Sequence, residues 1–207
     1  MSSAQACVSI VDDDMLVLRS LGRLLQSAGF AVRTFSSPHE LLESRGAASP
    51  GCIVMDLSMP GLSGLELQEA LARAADPRPV VFISGQGSVD TSVAAMKAGA
   101  VDFLTKPLDD GRLIGAVNAA IEKDRAAREA HAARASVEAR LATLTKRERE
   151  VLELVVAGKL NKQIAAELGT AEKTVKVHRA CMMRKMQVDS LAELVRLWTA
   201  TRSPATG

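Results

Sequence analysis

The chain is poor in aromatic residues, with four Phe, one Trp and no Tyr among 207 residues. Platforms that stack single-stranded nucleic acid are built from such rings, so this mode of binding is not expected. Cysteine is scarce too. Cys7, Cys52 and Cys181 are an odd set with no metal-ligand spacing, which argues against a disulfide framework or a thiolate metal site. They read as reduced, mostly buried small hydrophobes of a cytoplasmic protein. Long apolar runs are missing as well. No segment approaches the roughly 18 apolar residues that span a bilayer. The N-terminus has no basic segment followed by a long apolar stretch. The expectation is a soluble, cytoplasmic chain with no membrane partner.

What is present suffices for a folded protein. Hydrophobic residues make up 47% and charged residues 24%, enough to bury a core and unlike a disordered chain. The length fits one large domain or two small ones. The net charge of +2 conceals an asymmetry. Residues 1–121 carry 9 Lys and Arg against 13 Asp and Glu, whereas residues 144–207 carry 12 against 7. An acidic front and a basic back imply different partners, with a polyanion the natural one for the back.

The pattern along the chain divides in the same way. Short apolar runs at Cys7 to Val11, Cys52 to Met55 and Val80 to Ser84 read as buried strands, with weaker candidates at Ala31 to Phe35 and Ala100 to Thr105. Between them lie helical periods: Val17 to Ala28 before Gly29, Leu62 to Ala72, and Val89 to Ala98 before Gly99. About five alternations predict a doubly wound α/β domain with a five-stranded parallel sheet. From about Asp109 to Leu141 the pattern is one long Ala- and Arg-rich helix. Its first part, with Leu113, Val117 and Ile121, should pack on the sheet. Its second part, with Asp124 and Arg128 at i,i+4, reads as a solvated connector. The remainder predicts helices only. Thr145 and Glu148 form a capping box, Asn161 can cap the next helix, Thr170 or Glu172 opens a third, and Asp189 or Ser190 a fourth. The domains expected are 1–121, a helical linker 122–143, and an all-α four-helix unit 144–207.

In sheets of this type, ligands bind beyond the carboxyl ends of the strands. Asp12, Asp13 and Asp14 fall there after the first strand, Asp56 after the third, Ser84 after the fourth, and Lys106 with Pro107 after the fifth. Asp14 alone reads as a helix cap. Converging carboxylates repel one another unless a cation intervenes, and a hard divalent ion with oxygen ligands, most simply Mg²⁺, meets that need. The carboxylate most exposed to this ion and to Lys106 would be a nucleophile. The three histidines, His39, His131 and His178, lie near none of these positions in sequence and read as structural or surface residues.

The segments Val11-Asp12-Asp13-Asp14, Met55-Asp56-Leu57-Ser58-Met59-Pro60-Gly61, Ile83-Ser84-Gly85 and Phe103-Leu104-Thr105-Lys106-Pro107 together resemble the receiver domain of two-component response regulators, over about 6–121. The resemblance implies a flavodoxin- or CheY-like fold with Asp56 as phosphoacceptor. It implies Mg²⁺ held by Asp12, Asp13, Asp56 and the backbone carbonyl of Ser58, with Asp13 a direct ligand. It also implies Ser84 as the switch hydroxyl, Phe103 as the switch aromatic, Lys106 as the partner of a phosphoryl oxygen, and a cis bond before Pro107.

The back half contains Leu144 to Leu152, then Asn161-Lys162-Gln163-Ile164-Ala165, then Thr174-Val175-Lys176-Val177-His178. Two short helices joined by a turn with glycine, the second carrying Lys173, Lys176 and Arg179, form a recognition unit for the major groove. These segments resemble the LuxR/NarL/FixJ-type helix-turn-helix, and the whole chain is most similar to the FixJ subgroup. By that resemblance Lys176 and Val177 reach base edges, while Lys162, Lys173, Thr174 and Arg179 reach phosphates. Ala180 departs from members that carry a lysine there. The implied partners are a sensor histidine kinase, double-stranded promoter DNA, RNA polymerase and, on phosphorylation, a second copy of the chain. An enzyme of the haloacid dehalogenase type would need an acid two residues after Asp56, where this chain has Ser58. A pseudo-receiver, the remaining alternative, usually lacks part of the acidic set that is complete here. The expectation is a regulator and not an enzyme.

Overall fold

A computed structural model describes residues 6–44, 49–74, 76–85 and 89–202. The extreme ends that the sequence reading assigned to the two domains, 1–5 and 203–207, lie outside them. The described chain forms two compact units that divide between Arg128 and Glu129.

In the first unit, β1 (Cys7–Val11), α1 (Met15–Ser27), β2 (Ala31–Phe35), α2 (Pro38–Glu43), β3 (Gly51–Asp56), α3 (Gly64–Arg73), β4 (Val80–Ser84), α4 (Val89–Lys97), β5 (Asp102–Thr105) and the start of α5 (Asp110–Ala142) follow one another. The five strands form a parallel sheet in the order β2-β1-β3-β4-β5. Alternate residues of the central strands feed two cores. Val8, Ile10, Cys52, Val54, Val81 and Ile83 pack with Leu18, Leu21 and Leu25 of α1 and with Leu113 and Val117 of α5. Val11, Ile53, Met55 and Phe82 pack with Leu41 of α2, Leu67 and Leu71 of α3 and Ala95 of α4. Helices on both faces explain why these strands read as continuous apolar runs. The strand order reverses between β1 and β3, and there the sheet opens a crevice at its carboxyl edge.

Several local details differ from the sequence reading. Helix α2 was not anticipated. It has its own start signal, with Ser37 accepting from the Glu40 N–H and Pro38 in the first turn, but six residues are too few to establish a helical period. Helix α3 starts at Gly64 rather than Leu62, because Ser63 and Glu66 close a capping box. Asp14 caps α1 as expected, its carboxylate accepting from the Leu16 N–H at 2.7 Å. Of the three cysteines only Cys52 is buried; Cys7 and Cys181 are partly exposed.

The second unit contains α6 (Lys146–Val156), α7 (Asn161–Glu167), α8 (Glu172–Met186) and α9 (Leu191–Arg202). Its core joins Val151, Leu152 and Val155 of α6, Ile164 of α7, Val175, Met182 and Met186 of α8, and Leu194 of α9. Thr145 and Glu148 cap α6 reciprocally, as their spacing predicts. Asn161 is not the cap of α7. Leu160 holds that position, and Gln163 accepts from its N–H at 2.8 Å. The stretch 122–143 is not uniformly solvated: Asp124 is only 2% exposed, and Val137 is buried in the core of the second unit.

Candidate functional site

Four strand ends build the acidic pocket. The ladder aligns Val11 with Met55, Asp56 with Ile83, and Ser84 with Thr105. The residues just past or at these ends, Asp12, Asp56, Ser84 and Lys106, therefore arrive at one edge. Pairing persists into the loops, where Leu57 N–H donates to the Ile83 carbonyl at 2.9 Å and Lys106 N–H to the Ser84 carbonyl at 2.8 Å. The Lys106–Pro107 peptide is cis.

The Lys106 ammonium donates to Oδ2 of Asp56 at 2.6 Å and to Oδ2 of Asp12 at 3.0 Å. Each carboxylate accepts on its other oxygen from backbone two residues ahead: Asp12 from Asp14 N–H at 2.8 Å, Asp56 from Ser58 N–H at 2.9 Å. These Asx-type bonds fix the carboxylates while leaving the exposed Asp13 at the mouth. Burial pushes the Asp12 carboxyl above its usual range, against the opposing pull of the Asp14 N–H and Lys106. Burial alone would lower the Lys106 pKa, but hydrogen bonds and charge from Asp56 and Asp12 outweigh it, and the ammonium is held above its usual range.

Oxygens of Asp12, Asp13 and Asp56 lie within 4.8 Å of one another. With Lys106 the one cation bonded to this cluster among the described residues, three carboxylates leave an excess of negative charge. An all-oxygen donor set with that excess fits a hard divalent ion such as Mg²⁺. Ser58 is exposed beside the cluster, Ser84 is fully buried, and Phe103 is half-buried against the core formed by α2, α3 and α4.

The sequence reading missed Gly64. A Cβ built there would lie 2.7 Å from the Asp56 carbonyl oxygen and 3.0 Å from the Leu57 Cα. Helix α3 thus packs directly on the backbone that presents Asp56. A glycine at the start of a helix rather than at its end was the available signal.

In the second unit, Lys162 of α7 and Lys173, Thr174, Lys176 and Val177 of α8 are exposed, Val177 to 56%. Lys176 is 3.3 Å from Glu172. Arg179 is partly buried and donates to Oδ1 of Asn161 at 3.1 Å. Asn161 therefore serves to join α7 to α8, a role that its position near a helix start disguised. Glu148, besides capping α6, pairs with Lys185 at 2.6 Å.

Comparison with known proteins agrees with both halves. Residues 8–118 match the model of the response regulator receiver domain, and residues 142–198 that of the bacterial regulatory proteins of the luxR family. Nodulation protein W of Bradyrhizobium diazoefficiens is 46% identical over 196 residues, covering 95% of this chain and 86% of that protein. Transcriptional regulatory protein FixJ of the same organism is 43% identical over 190 residues, covering 92% and 93%. The low-resolution structure of response regulator StyR, 46% identical, superposes with a TM-score of 0.87 over 95% of this chain and 99% of that one. This chain belongs to the response regulators: it is a FixJ-like, phosphorylation-dependent transcriptional regulator with a receiver domain and a luxR-family DNA-binding domain.

Proposed function

We propose that Asp56 accepts a phosphoryl group from the phosphohistidine of a sensor histidine kinase. The observation that carries this reading is the Lys106 ammonium shared between Asp56 and Asp12 beside Asp13. A carboxylate oxygen of Asp56 attacks phosphorus, the phosphorus–nitrogen bond breaks, and the imidazole leaves with a proton. Asp12, Asp13, Asp56 and the Ser58 carbonyl would hold Mg²⁺, which when bound neutralises charge on the transferred group. Lys106 then pairs with a phosphoryl oxygen. Ser84 turns its hydroxyl toward another, and Phe103 moves into the space so vacated, reshaping the surface of α4 and β5. Ser58 stands where a haloacid dehalogenase-type phosphatase needs its acid, so the step is a stoichiometric transfer and not turnover.

The second unit reads promoter DNA. Lys176 and Val177 contact base edges of the major groove, and Lys162, Lys173 and Thr174 contact phosphates. Arg179 joins them at a phosphate while bracing α7 through Asn161. Phosphorylation favours a homodimer that places two recognition helices on two half-sites, and the bound dimer engages RNA polymerase. No helix among the described residues is long and apolar enough to cross a membrane, in keeping with action in the cytoplasm. Labelling with an acyl phosphate or beryllofluoride in the presence of Mg²⁺, followed by DNA gel-shift titration, tests the whole reading. A chain that takes no label at Asp56 would overturn it.

A further inference from the structure

Four carboxylates are buried among the described residues: Asp12, Asp56, Glu148 and Asp124. The first two form the acidic pocket, and Glu148 caps α6. Asp124 belongs to neither. It lies in α5, where the sequence reads as solvated connector, yet it is 2% exposed. Its Oδ2 accepts from the backbone N–H of Gly51 at 2.8 Å and from Nε of Arg128 at 2.7 Å. Arg128 also reaches the Ser49 carbonyl at 3.4 Å. Oδ1 is buried and has no hydrogen-bond partner among the described residues. A charge removed from water with one oxygen unsatisfied is a costly arrangement for a position that solvent could otherwise serve.

What Asp124 grips gives the cost a purpose. Gly51 begins β3, every residue of which is buried, and Asp56 ends the same strand. Gly51 lies close against β1, where a Cβ would come within 1.9 Å of the Cys7 carbonyl oxygen, so no side chain fits there. The neighbouring Cys52 thiol is pushed up to about 12, first by burial and next by the charge of Asp124. The carboxylate is thus held against the foot of the phosphoacceptor strand. Arg128, its ion-pair partner, is the last residue of the first unit, and α5 continues beyond it into the second.

We propose that Asp124 is a positioning residue that couples phosphorylation to DNA binding. It acts through Gly51 and Arg128, fixing the turn of α5 from which the connector departs to the strand that carries Asp56. Asp124 is buried whereas the Arg128 side chain is 32% exposed, so the pair opens by Arg128 moving into water. That leaves the Asp124 charge buried and unpaired and makes a half-open state costly. The pair is therefore suited to act as a two-state joint. The inference rests on the proposed phosphorylation of Asp56.

The test uses the full chain and a duplex selected for binding by the wild type. Affinity is measured with and without beryllofluoride and Mg²⁺, for wild type, Asp124→Asn and Arg128→Gln. Native alkylation of Cys52, resolved by mass spectrometry, reports opening of the joint. The wild-type gain on activation should fall in the range of about 5–150-fold usual for coupled sites. In both variants it should shrink to less than about twofold, with labelling at Asp56 and unactivated affinity retained and Cys52 alkylated about tenfold faster through local opening. Variants that keep the full gain would overturn the inference, whether Cys52 opens or not, and leave Asp124 as mere cement of the receiver. Should Asp124→Asn fail to fold, Arg128→Gln carries the test, because it retains the Gly51 bond. A wild-type chain that labels at Asp56 but gains no affinity would overturn the inference alone; one that takes no label would overturn the proposed function beneath it.

Discussion

The Lys106 ammonium lies 2.6 Å from Oδ2 of Asp56, although 50 residues separate the two in sequence. The pairing sets a cation against the Asp56 carboxylate at the carboxyl edge of the sheet, the setting in which a carboxylate serves as a nucleophile. Asp56→Asn keeps the shape of the side chain and removes the proposed nucleophile. We predict that phosphate incorporation from an acyl phosphate, read as a mass shift of the intact chain, falls to background while cooperative unfolding persists. Incorporation equal to wild type would falsify the assignment.

Gly64 makes a second prediction about the same carboxylate. An added methyl must displace backbone of Asp56 or Leu57 and also meets Cε1 of Phe82 at 2.8 Å. Gly64→Ala should destabilise the receiver by about 1–3 kcal/mol, as overpacking does. It should also slow incorporation at saturating Mg²⁺ by roughly 10- to 100-fold, the expected penalty for a misplaced reacting group. Thermal melts and labelling time courses separate the two effects. A destabilised variant that labels at the wild-type rate would show that α3 does not position Asp56.

Glu148 supplies a prediction about pH. Its Oε2 accepts from the Lys185 ammonium at 2.6 Å and from the Thr145 N–H at 2.8 Å. These hold its pKa below the ordinary value of 4.5, with Lys185 the larger cause. A pKa depressed in the folded state gives stability that is present above 4.5 and lost as pH falls through the lower folded value. Lys185→Met should raise that folded value, so the second unit should lose structure at higher pH than in wild type. Trp198, the one tryptophan, packs against this core and reports the transition by fluorescence. An acid midpoint that does not move would count against the pair.

How far the fold and the site were legible follows from which groups announce themselves locally. Asp12, Asp56, Ser84 and Lys106 sit at the ends of apolar runs, and a parallel sheet must gather such ends at one edge. Their convergence followed from topology before any distance was known. Asp124 gave no such signal. Its i,i+4 spacing to Arg128 is that of any exposed helical ion pair, and only the approach of Gly51, more than seventy residues earlier, distinguishes it. Asn161 was misread for a similar reason: a helix start with a polar side chain implies a cap, whereas its actual partner is Arg179 on the next helix. Local signals fixed the capping boxes; long-range partners were invisible where nothing in the repeat pattern pointed to them.

The division of labour proposed for α8 is testable. Lys176→Ala should lose roughly 1–3 kcal/mol of binding and relax preference at one base pair, if the ammonium reads a base edge. Lys173→Ala should weaken all duplexes about equally and reduce the salt slope by about one unit. Arg179→Ala should do the same and in addition loosen α7, because the Asn161 bond is lost. Binding of operator variants at several salt concentrations resolves the three. Identical profiles for Lys176→Ala and Lys173→Ala would refute the division.

The last prediction concerns how activation reaches DNA. Helix α4 exposes Val93 to 43% and Met96 to 47%, three residues apart and so on one face. Two exposed aliphatic groups on one helical face form an apolar patch too small to hold a dimer alone. Phosphorylation that reshapes α4 and β5 could extend it into a self-complementary surface. The dimer would raise affinity by effective concentration, with no new base contact required. Sedimentation and gel shift, each with and without beryllofluoride, should then change together, and Met96→Glu should abolish both gains while leaving labelling of Asp56 intact. A chain that stays monomeric on activation yet binds DNA more tightly would remove the dimer from the mechanism. Release of the second unit from restraint would then be left as the route by which phosphorylation acts.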